Sequence, residues 1–104
     1  MSTVTTTARA KIVSAATPTI YNISMPLAGN EYSQLLSNGT KKILVRMRNR
    51  AKLRIAFVSG DTFTLWVTVE PGAVYFEENL DLNGATIYLQ SQEASQVAEI
   101  LEWV

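Results

Sequence analysis

The densest group of side chains able to do acid–base or metal chemistry is EENLDLNG at 77–84, where Glu77, Glu78 and Asp81 stand with Asn79 and Asn83. Two carboxyls facing one cleft could act as general acid and base on a glycosidic bond, and the same oxygens could hold calcium. The run lacks the ligand spacing of an EF-hand loop, and a domain this small seldom builds a cleft flanked by carboxyls, so the pattern favours a solvated acidic loop. Absences narrow the chemistry further. With no His and no Cys in the chain, Ser-His-Asp and Cys-His constellations, His or thiolate metal sites, disulfides and the usual near-neutral proton shuttle are excluded. There is no glycine-rich phosphate cradle and no dinucleotide fingerprint. We therefore expect no enzyme activity and no cofactor.

Seven of the nine Lys and Arg lie in KKILVRMRNRAKLR, residues 41–54: Lys41, Lys42, Arg46, Arg48, Arg50, Lys52 and Arg54. A basic cluster suits phosphate, but readers of single-stranded nucleic acid interleave aromatic residues that stack on bases, and 41–54 contains none. Nine bases balance nine acids, so no global field draws in a nucleic acid or an anionic membrane. The signs are instead segregated. Residues 1–60 hold all nine bases and one acid, Glu31, whereas 61–104 hold eight acids and no base. Each half can neutralise the other, within the chain or between copies. The competing readings of the cluster are a solvated face and a contact with nucleic acid, the latter requiring a steep salt dependence.

The elements that must position these side chains read as strands. Residues 1–19, rich in Thr, Ser and Ala, show neither a helical nor a two-residue apolar period, and we expect an extended N-terminal arm; residues 20–104 then form a single domain with one modest core. Alternation places Tyr21, Ile23 and Met25 on one face of 19–25, with EYSQLL (31–36) as a short second strand. Ile43, Val45 and Met47, and then Leu53, Ile55 and Phe57, point inward with Lys42, Arg46, Arg48, Lys52 and Arg54 outward, as if in a hairpin around Asn49 to Ala51. In 63–69, Phe63, Leu65, Val67 and Val69 share a face opposite Trp66; in 85–91, Ile87 and Leu89 lie opposite Tyr88. A short strand from Ala73 leads into the acidic loop, and VAEILEWV closes the chain, although Ala94, Val97, Ala98 and Leu101 also fit one helical face. Eight short strands with turn signals such as Asn38-Gly39, Pro71-Gly72 and Asn83-Gly84 describe an all-β antiparallel sandwich or small barrel. No run of about 18 apolar residues marks a spanning helix, and no apolar core of a signal peptide opens the chain, so the expectation is a soluble product made in the cytoplasm.

Outward aromatics on such a sandwich meet a subunit or a flat ligand such as a sugar ring. Trp66, Tyr88 and the near-terminal Trp103 are the candidates, beside the basic residues Lys42, Arg46, Arg48, Arg50, Lys52 and Arg54 and the acids Glu99 and Glu102.

The basic strand pair, the Pro71-Gly72 turn before Tyr75, the Asn83-Gly84 turn before Ile87, Tyr88, Leu89, Gln90 and Ser91, and the acidic end with Glu99, Glu102 and Trp103 resemble the small virion proteins of tailed bacteriophages. The resemblance extends over residues 1–104 as a texture of strands and turns and carries no family binding residue. It implies a jelly-roll-like sandwich acting as a capsid cement or decoration protein. Such a protein sits on the virion surface as a dimer or trimer and bridges subunits of the major capsid protein; neck and tail accessory proteins share the texture. Opposite-signed halves suit contacts between copies, whereas two equal patches across a twofold axis would repel. The alternative of another class is a carbohydrate-binding module with Trp66, Tyr75 or Tyr88 as its platform.

Overall fold

The structure, a computed structural model, describes residues 17–104; the expected arm falls almost wholly outside the described residues. Among the described residues eight strands follow one another: β1 (Thr19–Met25), β2 (Glu31–Leu35), β3 (Lys42–Met47), β4 (Leu53–Ala56), β5 (Val67–Val69), β6 (Val74–Glu77), β7 (Thr86–Gln90) and β8 (Gln96–Trp103). They form two four-stranded antiparallel sheets, ordered β1-β8-β3-β6 and β2-β7-β4-β5. Every consecutive pair except β4 and β5 crosses from one sheet to the other. This is the doubly wound Greek-key order of a jelly roll, so the expected all-β, jelly-roll-like sandwich is the fold observed.

The core forms where the inward rows of the two sheets meet. Met25, Ile43, Val45, Leu53, Ile55, Ile87, Leu89 and Ile100 are buried at one end or another of a shared cluster, and each sits at an alternate position of its strand, as the two-residue period of a pleated sheet requires. β8 is the spine of the first sheet. It pairs with β1 from Met25↔Gln96 to Thr19↔Glu102 and with β3 from Met47↔Ala98 to Lys42↔Trp103. The helical spacing in 94–101 is therefore a coincidence of composition: both neighbours offer β8 a complete ladder, and Ala98, Ile100 and Glu102 point inward while Glu99, Leu101 and Trp103 point out.

Three expectations are corrected. β3 and β4 do not pair as a hairpin; the chain turns a corner at Asn49 to Ala51 and carries β4 into the opposite sheet. Alternation tells which face of a strand is buried, and that is the same for a hairpin and for a corner, so the sequence pattern could not separate them. The expected strand 63–69 is ordered as strand only at Val67–Val69, because residues 61–63 make a 3-10 turn. As a result Phe63, Leu65 and Val67 are exposed rather than inward, and Phe57 is exposed beyond the end of β4. Finally, Glu102 is not a surface residue: it is 0% exposed.

Candidate functional site

The basic residues 41–54 do not form one patch. Because β3 and β4 belong to different sheets, Lys42 and Arg46 belong to the first sheet, with Arg48 just past the end of β3, whereas Arg54 lies on the outer face of the second. Glu99, on β8 directly beside Arg46 on β3, holds both arginines of the first face: Arg46 Nε donates to Oε1 at 2.9 Å and Arg48 Nε to Oε2 at 3.0 Å. These hydrogen bonds, from Arg46 first and then Arg48, keep the Glu99 carboxyl below the usual carboxylate range. Lys52 lies 4.0 Å from Glu70 with both side chains well exposed, a geometry of little energetic weight. Acidic partners from the second half of the chain thus reach three of the bases. Lys42 instead sits 5.0 Å from the centroid of the Trp103 ring, its neighbour across the β3/β8 ladder. Arg50 lies over the turn between β5 and β6; a Cβ on Gly72, whose φ is +80°, would meet its Nη1 at 3.1 Å.

The outer face of the second sheet carries a built polar cluster under the loop between β4 and β5. Arg54 lays its guanidinium 3.7 Å from the centroid of the Trp66 ring and hydrogen-bonds Gln90 Oε1 at 3.2 Å and the Thr62 carbonyl at 3.3 Å. Planar stacking of this kind is specific to arginine. Tyr88 is half-buried on the same face. Glu31, the lone acid of the first half, anchors the loop from below. Its carboxylate accepts from the Gly60 N–H at 2.9 Å, the Thr62 N–H at 3.3 Å and the Thr62 hydroxyl at 2.5 Å. Burial pushes the Glu31 carboxyl up, but the bonds from Thr62 and Gly60 outweigh it and bring the carboxyl below its ordinary value.

On this floor the loop presents an apolar ridge. Leu65 is 75% exposed and Trp66 37%, with Phe57, Val58, Phe63 and Val67 also exposed. Val58, Phe63, Leu65, Trp66 and Val67 expose on the order of 400 Å² of apolar surface between them, within the range of interaction sites, whereas Phe57 turns toward Tyr75, the ring centroids 6.3 Å apart. Strand alternation concealed the ridge by assigning most of these side chains to the core. The Ser59-Gly60-Asp61 turn was the signal that the strand does not start at Phe63.

The acidic loop brings less together than its sequence offers. Glu77 accepts from the Tyr75 hydroxyl at 3.0 Å; burial and this bond raise the Tyr75 pKa to about 12. Glu78, Asn79 and Asp81 line an open hollow of about 480 Å³ with Lys41 and Lys42. Among the described residues no three acids gather to hold a metal ion.

Glu102 belongs to the framework. Inside the sandwich it accepts from the Tyr21 hydroxyl at 2.6 Å, the Ser37 hydroxyl at 2.6 Å, the Ser37 N–H at 3.0 Å and the Thr40 hydroxyl at 3.0 Å, tying β1 and the β2–β3 connection to the end of β8. Burial pushes its carboxyl up, yet the bonds from Ser37, Tyr21 and Thr40 carry it below the usual range. A carboxylate with several good donors can stay ionised without a cation.

No protein-family model and no curated protein sequence matches the chain. Among solved structures it is similar to a de novo designed double-stranded β-helix determined by NMR in solution, with a TM-score of 0.52 and 17% sequence identity, covering 84% of this chain and 97% of the design. A likeness at that identity concerns the fold alone: the double-stranded β-helix is the same winding that the strand order defines.

Proposed function

We propose that this protein is a non-catalytic structural subunit of a phage virion, of the capsid cement or decoration kind, that stabilises the head by bridging subunits of the major capsid protein. The observation that carries the proposal is the exposed apolar side chains of the β4–β5 loop, whose backbone is fastened by Glu31 and Arg54. A loop fastened at its backbone loses little entropy on docking. Its apolar surface, on the order of 400 Å², is comparable to the apolar share of one side of a standard protein interface. The jelly roll supplies the frame. The sugar-platform alternative gains less support, because Arg54 occupies one face of Trp66 and the Tyr75 hydroxyl is committed to Glu77.

The test is co-sedimentation of the purified protein with expanded heads of the phage whose genome encodes it. Binding that is lost on Leu65→Asp, with the melting curve unchanged, is the expected result. Absence of binding by the wild-type protein, or a glycan-array signal that disappears on Trp66→Ala, would replace this function with another.

A further inference from the structure

The outer face of the first sheet carries an apolar row that crosses all four strands. Ile20 on β1, Leu101 on β8, Leu44 on β3 and Phe76 on β6 are successive register partners. Ile20 is 62% exposed and Phe76 46%, and a shallow hollow of about 410 Å³ opens along the row. Among the described residues the two sheets are the only layers, and no third layer covers this face. The flanking rows are just as ordered: on one side Glu99 of β8 stands beside Arg46 of β3, and on the other Trp103 of β8 stands beside Lys42 of β3.

We infer that this face pairs with the same face of a second copy, about a twofold axis running along the strands between β8 and β3. That axis lays β8 of one copy over β3 of the other and keeps every row at its own level. Glu99 then meets Arg46 of the second copy, Leu101 meets Leu44, Trp103 meets Lys42 and Ile20 meets Phe76. Each contact joins opposite charges, apolar surfaces, or a cation and an aromatic ring. A twofold axis at right angles to the strands would instead set Arg46 over Lys42, and the like charges oppose it. The face does not present two equal patches to each other, because β8 contributes the acid and β3 the base. Arg46 and Arg48 bind their own Glu99 through Nε, which leaves their Nη donors to cross the interface. Sheets packed this way lie about 10 Å apart with strands within about 30° of parallel.

This pairing deepens the assembly function proposed above and rests on it for its biological setting, while leaving the β4–β5 ridge free for the shell. Sedimentation equilibrium of the full chain should give twice its mass, and Leu44→Glu should weaken self-association on the order of a hundredfold while near-ultraviolet circular dichroism stays native. The absence of cysteine lets single thiols report the symmetry. Ile20→Cys and Phe76→Cys, mixed and treated with a bismaleimide of about 10 Å reach, should cross-link as a mixture and not separately. A monomer at millimolar concentration overturns the pairing, as do cross-links formed by either variant alone. Monomers that still sediment with heads would sink only the twofold; dimers that ignore heads would keep the twofold and sink the capsid function.

Discussion

Replacing Glu102 tests a fully buried carboxylate inside the sandwich. The carboxylate is 0% exposed and four donor groups converge on it. Glu102→Ala does not orphan all four. The single proton of the Thr40 hydroxyl can turn to the Ser37 carbonyl, already 2.7 Å away, and Tyr21 is only half-buried. Two donors left short, at about 1–3 kcal/mol each, plus a side-chain cavity, put the cost at about 3–4 kcal/mol. For a domain of this size that lowers Tm by roughly 15–25 °C. Glu102→Gln keeps the shape but turns an amide donor toward donors, and should cost about 1–2 kcal/mol. The pH dependence sharpens the test. The folded carboxyl lies below its ordinary value of 4.5, so its stabilisation is complete above that value and is lost as pH falls through the folded value. Glutamine mimics the protonated acid, so the penalty of Glu102→Gln should be full at neutral pH and fade in acid. Urea unfolding followed by tryptophan fluorescence reads both quantities. Glu102→Ala within about 1 kcal/mol of wild type, or a Gln penalty undiminished in acid, would refute the reasoning.

Glu31→Ala should free the β4–β5 loop: hydrogen exchange at the Gly60 and Thr62 amides accelerates, stability falls by about 1–3 kcal/mol, and head binding weakens although no ridge residue has changed. Arg46→Ala and Arg48→Ala should each cost under about 1 kcal/mol in the isolated chain, and less at high salt, because both guanidiniums are near half exposed. Between about pH 5 and 8 unfolding stability should be flat, since the chain has no histidine to titrate there. At the alkaline end Tyr21 and Tyr75, both raised above 10.0, favour the folded state until pH passes the ordinary tyrosine value and lose that contribution as it rises further. An ultraviolet titration should find Tyr75 still protonated at a pH where free tyrosine, with its ordinary value of 10.0, has ionised.

The period of two in each segment decided a great deal by itself. Met25, Ile43, Val45, Leu53, Ile55, Ile87, Leu89 and Ile100 are inward because a pleated strand offers no other way to bury them, and eight such segments of this length close into a sandwich. The absence of His and Cys likewise bounds the chemistry whatever the fold. Tertiary structure alone decided which strand neighbours which. Alternation is blind to partners, so the corner at Asn49 to Ala51 that separates Arg46 from Arg54 could not be read beforehand, nor could the register that places Glu99 beside Arg46 and lines up Ile20, Leu101, Leu44 and Phe76. Burial of Glu102 and exposure of Phe63 and Leu65 invert what their types suggest, each for its own reason. A carboxylate is tolerated inside when neighbours from distant segments supply its donors, and apolar side chains stay outside when a turn, here the one anchored by Glu31, lifts them off the sheet.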